Sequence, residues 1–481
     1  MIQKKFVLVS LVILSLTASF KAQTTDSPKL PDTLVGKRVA AYINAFNSGD
    51  EQTVRRFFAD NVSAAALEER PIDLRIGVYK EMRGNMGQLQ LRRIKEATEQ
   101  GITAVFQTAK GGWFEIGFLF EPQTPHRFLG LRVEDVPAPQ DQPEDKTPAA
   151  LTESQVLALI EGRLNELVAA DEFSGVVLLA KGDKPIFQKA YGLASKEYGV
   201  PNRIDTRFNL GSINKTFTQM AIGQLVEQGK LSLDDKLGTH LPDYPNRDAA
   251  DKVTIRQLLD MSSGIGDMFG PRFETMSKSG LRAIKDFLPL FASQPLQFEP
   301  GTKRQYSNGG YIVLGAIIEK VSGQDYYEYV REHIFKPAGM QNTEWYEADK
   351  PVPNVASGYT REAAGEGPRR NNIFSRPARG NSAGGGYSTA EDLLKYSLAL
   401  QSGKLRLPSF RESTGAEKPG PAGHRTSFAG VGIAGGASGI NAALESSSAS
   451  GYTSVVMSNY DPPSAEKVAR EIRGWLAKIK N

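Results

Sequence analysis

The sequence Gly-Ser-Ile-Asn-Lys-Thr-Phe at residues 211–217 decides the interpretation of this chain. The apolar spacing that follows predicts a helix that begins at Ser212 and is capped by Gly229. Residues three apart on a helix are neighbours, so we expect the Lys215 amine beside the Ser212 hydroxyl. The positive end of the helix dipole favours a neutral lysine and a developing alkoxide. This pattern predicts a pair of nucleophile and base that needs no histidine. The alternative interpretation of the same residues is a serine N-cap followed by a surface lysine.

A second segment, Tyr-Ser-Asn at residues 306–308, follows a Pro-Gly turn and precedes an apolar helix. This order places Tyr306 and Asn308 on a loop that enters a helix, where their side chains project into a cleft. A phenol beside a lysine ammonium has its ionised form favoured, so we expect Tyr306 to relay protons. Asn308 offers a donor and an acceptor to a substrate amide. The alternative is a loop tyrosine packed on the core.

Composition excludes most other chemistries. The chain has 481 residues, which predicts two or three domains. It has no cysteine, which excludes disulfides, thiol nucleophiles and cysteine-ligated metals. Its four histidines are scattered along the sequence, at His126, His240, His333 and His424. We therefore expect no metal and no cofactor, and chemistry carried by Ser, Lys and Tyr.

The N-terminus has the pattern of an export signal. Lys4 and Lys5 precede an almost continuous apolar run at residues 6–16, and small residues follow it. We predict a signal peptide at residues 1–22 and a periplasmic or secreted protein with no membrane span after cleavage. The net charge is +4, and three of those positive charges lie before residue 22. Nucleic acid is therefore not an expected partner.

The rest of the chain divides into three parts. Residues 32–136 contain helical patterns followed by consecutive strand patterns, which predicts a small α+β domain. Residues 137–150 are rich in proline and acidic residues, which indicates an extended linker. Residues 151–481 contain early strands, an inserted helical block, late strands and a closing helix. This order predicts one antiparallel sheet built from both ends of the segment.

The two motifs together resemble those of the serine β-lactamase and penicillin-binding-protein-like hydrolases, the family related to class C β-lactamases, DD-peptidases and esterases. Similar stretches lie at residues 231–235, 241–245, 254–259, 262–265, 334–340, 383–389 and 458–460. The resemblance covers nearly all of residues 151–481. It implies a β-lactamase-like α/β sandwich, in which an antiparallel sheet is flanked by helices and accompanied by an all-helical block.

A weaker resemblance concerns the preceding domain. The stretch at residues 41–50 and the Phe57-Phe58 pair resemble the start of the nuclear-transport-factor-like cone fold. We therefore expect a small cone-like α+β domain at residues 32–136, with packing or dimerisation as its role.

The family resemblance implies a role for each candidate site residue. Ser212 attacks a carbonyl carbon while Lys215 and Tyr306 handle the proton, and the backbone N–H groups of Ser212 and Gly436 form the oxyanion hole. Asn308 and Gly436 are the expected substrate-binding residues. The expected partner is a small molecule or peptide with a scissile carbonyl, namely an ester or amide, with β-lactams and D-Ala peptides included.

The third family motif departs from this pattern. Ile433 and Ala434 stand where the family places Lys or His followed by Thr. This departure favours an uncharged ester or amide substrate. The candidates to replace the missing Lys or His of this motif are His424, Arg425, Arg376 and Arg379. The alternative function is a catalytically weak or inactive β-lactamase-like protein that binds cell-wall-derived ligands.

Two competing motifs are less consistent with their surroundings. Gly-Asn-Ser-Ala-Gly at residues 380–384 fits the nucleophile elbow of α/β-hydrolases, but no strong strand precedes it. Gly-Val-Gly-Ile-Ala-Gly at residues 430–435 fits a dinucleotide-binding loop, but too little chain follows for the rest of that domain. We predict a glycine-rich strand there instead.

Overall fold

The computed structural model describes residues 28–69, 71–98, 100–109, 111–121, 123–136, 151–361, 367–406, 425–427, 430–448 and 450–479. The predicted signal peptide, the predicted linker and His424 lie outside the described residues. The chain separates into two compact units, Met1–Asp145 and Lys146–Asn481. Within the described ranges, no helix is long and apolar enough to cross a membrane.

The first unit packs helices against an antiparallel sheet. Its helices are α1 (Leu34–Ser48), α2 (Glu51–Asn61), α3 (Ala64–Glu69) and α4 (Ile72–Met86). Its strands, which pair in chain order, are β1 (Leu89–Ala97), β2 (Gly101–Thr108), β3 (Trp113–Phe120) and β4 (Phe128–Asp135). An aromatic cluster that includes Tyr42, Phe46 and Phe118 fills the core between the two layers. The order of helices before strands agrees with the α+β prediction, and the cone-like fold stays a prediction.

The second unit contains more elements. Its helices are α5 (Glu153–Ala169), α6 (Asn214–Glu227), α7 (Leu237–His240), α8 (Arg247–Lys252), α9 (Ile255–Leu259), α10 (Pro271–Thr275), α11 (Ile284–Phe287), α12 (Asn308–Ser322), α13 (Tyr326–Val330), α14 (Lys336–Ala338), α15 (Ala390–Gln401) and α16 (Ser464–Leu476). Its strands are β5 (Gly175–Lys181), β6 (Lys184–Tyr191), β7 (Leu193–Ser195), β8 (Val200–Pro201), β9 (Phe208–Asn209), β10 (Tyr359–Thr360), β11 (Arg370–Asn371), β12 (Tyr387–Ser388), β13 (Arg425–Ser427), β14 (Gly430–Ala437), β15 (Ile440–Ser447) and β16 (Tyr452–Ser458).

Six of these strands form one antiparallel sheet in the order β13-β14-β15-β16-β5-β6. Successive residues of a strand point to opposite faces of a sheet. Both faces of this sheet are apolar, because alternate residues of its strands enter two different cores. Val176 and Leu178 of β5 enter the core shared with the helical block, whereas Val177 and Leu179 enter the core shared with α5 and α16. The predicted sandwich, a sheet flanked by helices and built from both ends of the segment, is confirmed.

One part of β14 pairs with a strand on one side and lies against the Ser212 turn on the other. Strand β13 pairs with β14 only from Gly430 to Gly432, so residues 433–437 have β15 as their one strand partner within the described chain. The glycine-rich strand predicted here is therefore present. A short 3₁₀ turn, Gly211–Ile213, lies against this part of the strand.

Candidate active site

Ser212 lies on a turn between a short strand and a helix. The predicted helix does not begin at Ser212, because residues 211–213 form a 3₁₀ turn and α6 begins at Asn214. Gly211 has a φ of 49°, a left-handed conformation that glycine adopts without strain. Helix α6 ends at Glu227, and Gly229 follows with a φ of 67°, in agreement with the predicted cap. The turn leaves the Ser212 side chain half-buried at the edge of a cleft.

Lys215 is buried in the first turn of α6 and faces three acceptors. Its Nζ lies 2.7 Å from Asn308 Oδ1, 2.7 Å from the Ala383 carbonyl oxygen and 3.3 Å from Ser212 Oγ. The first two partners can only accept, so they take two N–H groups of the amine. The remaining position on the nitrogen, a third N–H or a lone pair, points to the serine. A neutral Lys215 therefore has its lone pair where it can take the serine proton.

Burial sets the charge state of this lysine. Loss of solvation lowers the pKa of Lys215 to about 7, while the negative charge of Asp267 opposes part of that change. A substantial fraction of the amine is therefore neutral near pH 7. This protonation state is the one that a general base requires.

Tyr306 contacts the same serine from the other side. Its hydroxyl lies 2.5 Å from Ser212 Oγ, and its ring centroid lies 4.7 Å from Lys215 Nζ. Burial raises the pKa of Tyr306 and the charge of Asp267 adds to this, while the hydrogen bond with Ser212 opposes it. The expectation that the ionised phenol would be favoured is therefore wrong in direction, because desolvation disfavours the charged form. Tyr306 is a protonated donor in the resting state.

Asn308 is the first residue of α12, behind the N-cap Ser307. Its Oδ1 accepts from Lys215, and its Nδ2 donates to Asp267 Oδ2 at 2.9 Å. Both ends of the amide are thus engaged within the protein, although Asn308 also lines the cleft. Its contact with substrate stays a prediction.

The glycines of β14 bring backbone N–H groups to the serine. A Cβ added to Gly435 would lie 2.1 Å from the Leu210 carbonyl oxygen and 2.5 Å from Ser212 N. One added to Gly211 would lie 2.7 Å from Gly436 N. The turn at residues 211–212 and the strand at residues 435–436 therefore approach each other as closely as glycine permits. This placement suits two donors aimed at one oxyanion.

The cleft beside Ser212 has a volume of about 840 Å³ and many apolar residues in its walls, among them Met268, Phe269, Tyr346, Tyr387, Ile433 and Ile440. Ile433 is 2% exposed and packs in the core. No lysine or histidine thus stands on β14 at the position that the family motif reserves for a cation.

The four replacement cations have different positions. Arg376 lines the cleft. Arg379 is engaged elsewhere, because its Nε donates to the Trp345 carbonyl oxygen and its guanidinium lies over the Tyr327 ring. Arg425 belongs to β13, and His424 lies outside the described residues. Of Arg376 and Arg379, the two whose side chains the structure describes, Arg376 lines the cleft.

The competing elbow serine is not accessible. Ser382 is completely buried, and its backbone carbonyl accepts from Thr218 Oγ1. The loop that carries it instead contributes the Ala383 carbonyl to Lys215. Asp267 and this carbonyl were both missed by the sequence reasoning. Residues 383–389 stood out through the family resemblance, but a carbonyl contact has no side-chain signal.

The sheet, the helical block and the Ser212, Lys215 and Tyr306 cluster define the class of proteins with a β-lactamase-like fold. The Beta-lactamase family model matches residues 160–477. The chain belongs to this family.

Individual relatives extend the comparison. Penicillin-binding protein 4* of Bacillus subtilis (strain 168) is 33% identical over 200 residues, which are 40% of this chain and 44% of that protein. Esterase EstB of Burkholderia gladioli is 27% identical over 321 residues, which are 58% of this chain and 80% of that protein. The chain spans about half the length of the first curated relatives that it matches.

Solved structures agree on the fold. A penicillin binding protein from Bacillus halodurans is 32% identical with a TM-score of 0.57, and the match covers 64% of this chain and 98% of that one. A D-stereospecific amidohydrolase from Streptomyces has a TM-score of 0.54 at 24% identity, and covers 66% of this chain and 97% of that one. The second likeness concerns the fold alone.

Proposed function

We propose that this protein is a serine hydrolase that cleaves an ester or amide through an acyl-enzyme on Ser212. The observation that carries the proposal is the position of Ser212 Oγ, 2.5 Å from the Tyr306 hydroxyl and 3.3 Å from Lys215 Nζ. A hydroxyl held between a protonated phenol and a partly neutral amine is an activated nucleophile with a proton donor beside it.

Acylation follows from these contacts. Neutral Lys215 takes the Ser212 proton as Oγ bonds to the carbonyl carbon, and the oxyanion lies against the N–H groups of Ser212 and Gly436. When the bond to the leaving group breaks, Tyr306 donates its proton to that group and is reprotonated from Lys215. In the second half-reaction a water attacks the acyl carbon while the same pair takes its proton. The bond between that carbon and Ser212 Oγ then breaks, and the pair returns the proton to Oγ. The carboxylic acid product and free Ser212 result.

The substrate class is argued from the cleft. The apolar residues of its walls and the buried Ile433, which stands in place of a cation on β14, support an uncharged acyl group, and Arg376 is the group in the wall that would pair with a carboxylate if the substrate carried one. The relatives include proteins named as penicillin-binding proteins and an esterase. Together these support hydrolysis of an ester or amide with an apolar acyl part. The predicted signal peptide supports a periplasmic or secreted location for this activity.

A fluorophosphonate probe tests the proposal without assuming a substrate. We expect the label on Ser212 by peptide mass mapping, no label in Ser212→Ala, and a strong loss in Lys215→Ala. Ser382→Ala serves as the matched control and should label as the wild type does. Label on Ser382, or no label on a folded chain, would overturn the proposal, and the second result would favour a ligand-binding protein without turnover.

A further inference from the structure

Asp267 lies in the loop between α9 and α10, next to the start of α12. Two contacts hold this loop on the segment that precedes the helix. The Gly266 carbonyl oxygen accepts from Ser307 Oγ at 2.9 Å, and the Gly264 carbonyl oxygen accepts from Gln297 N at 2.8 Å. Ser307 is also the N-cap of α12. The position of the Asp267 carboxylate is therefore fixed relative to the first residue of that helix.

The carboxylate accepts three hydrogen bonds. Asp267 Oδ2 accepts from Asn308 N at 3.0 Å and from Asn308 Nδ2 at 2.9 Å, and its Oδ1 accepts from Phe269 N at 3.1 Å. An acceptor on the Nδ2 side determines which way an asparagine amide is turned. With Nδ2 held by Asp267, the Oδ1 atom of Asn308 must face Lys215.

The orientation of this amide controls the direction of the lysine amine. Asn308 Oδ1 and the Ala383 carbonyl each accept from Lys215 Nζ at 2.7 Å, which leaves the third position of the nitrogen for Ser212. A turned amide would place an NH₂ group against the amine, where two donors repel. The lysine would then leave the geometry in which it accepts the serine proton.

Asp267 also supplies charge. Within the described residues, the titratable groups that face Lys215 are Tyr306 and Tyr311, whose ring centroids lie 4.7 and 5.4 Å from Nζ, and Asp267, which acts on it through space. The two phenols are neutral in the resting state because burial raises the pKa of each. The negative charge beside the amine thus comes from Asp267.

We propose that Asp267 is a positioning residue of the acyl-transfer site, which turns the Asn308 amide toward Lys215 and thereby aims the lysine at Ser212. The inference rests on the proposed function, because the direction of the Lys215 amine matters only if this amine takes the Ser212 proton. It predicts separate effects for loss of the Asp267 charge and for loss of the hydrogen bond between Asp267 and Asn308.

Two substitutions separate these effects. Asp267→Asn keeps an oxygen that accepts from Asn308 but removes the charge, so the pKa of Lys215 falls. Asp267→Ala removes both, so the amide is free to turn. Asp325→Asn is the matched control, because Asp325 accepts from two backbone N–H groups at the start of α13 in the same unit.

Two measurements on the full chain test the proposal. The first is the Lys215 titration by ¹³C NMR of labelled lysine, assigned with Lys215→Arg, which does not depend on turnover. The second is the rate of fluorophosphonate labelling against pH, with the melting temperature of each variant recorded. We expect Asp267→Asn to shift both the titration and the acid limb of labelling to lower pH. We expect Asp267→Ala to label roughly 10- to 100-fold more slowly, and Asp325→Asn to match the wild type in both.

The outcomes distinguish the two proposals. If folded Asp267→Ala labels at the wild-type rate while the wild type labels on Ser212, the positioning role is wrong and the hydrolase proposal stands. If the wild type does not label, the hydrolase proposal fails and the positioning role fails with it. An unchanged titration in folded Asp267→Asn would show that Asp267 does not influence the charge of Lys215. If Asp267→Ala does not fold, Asp267→Ser, whose side chain is shorter by one atom, takes its place.

Discussion

At the scale of single residues, the site depends on a buried lysine that is close to half-neutral at physiological pH. An exposed lysine has a pKa near 10.4 and is charged at pH 7. Here burial lowers the pKa of Lys215 to about 7. Its fixed acceptors then direct the free position of the nitrogen to Ser212. Burial and direction together suit this lysine to the part of base that the proposed function gives it.

The pH dependence of turnover tests this arrangement. Acylation needs neutral Lys215, so kcat/KM for a neutral nitrophenyl ester should rise through a pH of about 7 and level off above it. A Lys215→Arg variant stays charged at every accessible pH and should lose about 10²- to 10⁴-fold. A wild-type profile that is flat between pH 5 and about 9 would contradict the role of Lys215 as base.

The Tyr306 hydroxyl has a comparable test. Tyr306→Phe keeps the ring over Lys215 and removes the contact with Ser212, so kcat should fall about 10²- to 10⁴-fold. Tyr311→Phe is the matched control, because the Tyr311 hydroxyl bonds to Leu259 and Gln219 rather than to the serine. Initial rates of ester hydrolysis compare the two variants. Equal losses would mean that the phenol next to Ser212 has no special part in proton transfer.

At the scale of elements, the distance between β14 and the Ser212 turn is set by glycine. A Cβ at Gly435 would collide with three backbone atoms, whereas one at Gly432 would meet no heavy atom within 4 Å. Because backbone atoms cannot move aside as flexible side chains do, Gly435→Ala must displace the strand from the turn. The Gly436 N–H would then leave the oxyanion position.

We therefore expect Gly435→Ala to lower kcat by about 10²- to 10³-fold, with the overall fold retained by circular dichroism. Gly432→Ala lies on the same strand and should retain most of the wild-type rate. Steady-state hydrolysis of one ester by both variants is the measurement. Similar rates for the two would show that β14 does not contribute to the oxyanion site.

The sequence predicted the elements better than it predicted the contacts of the site. The buried residues of α5, namely Val156, Ile160, Leu164 and Leu167, repeat about once every turn, and this spacing is visible in the sequence. The spacing of Ser212 and Lys215 likewise sufficed to bring their side chains together. Asp267 escaped notice because its role arises from a loop that meets α12 only in three dimensions. The pKa of Tyr306 was misjudged for a related reason, since burial is not visible in a local motif.

At the scale of the whole molecule, each unit has a hydrophobic core of its own. Phe46 is 1% exposed and packs on Tyr42 and Tyr79 in the first unit. Phe217 is completely buried in α6 of the second unit, against Phe335 and Tyr396. Removal of either ring leaves a cavity that costs about 3–5 kcal/mol.

Separate cores predict separate consequences. Phe46→Ala should lower the melting temperature of the first unit while fluorophosphonate labelling of Ser212 continues at the wild-type rate. Phe217→Ala removes a ring two positions from Lys215 in sequence and should reduce both stability and labelling. Calorimetry and labelling on the same samples compare them. A large loss of labelling in Phe46→Ala would show that the first unit supports the site.

The pairing of β5 with β16 has a consequence for the order in which the chain is made. The two strands lie side by side in the sheet but are roughly 270 residues apart in sequence. At about 5–20 residues per second, a ribosome needs on the order of tens of seconds to add the second strand after the first. During that interval one edge of the apolar strand β5 has no partner strand. An unpaired edge of this kind is a surface that aggregates or recruits chaperones. Ser212, already synthesised, has no completed pocket until β14 and β15 have emerged.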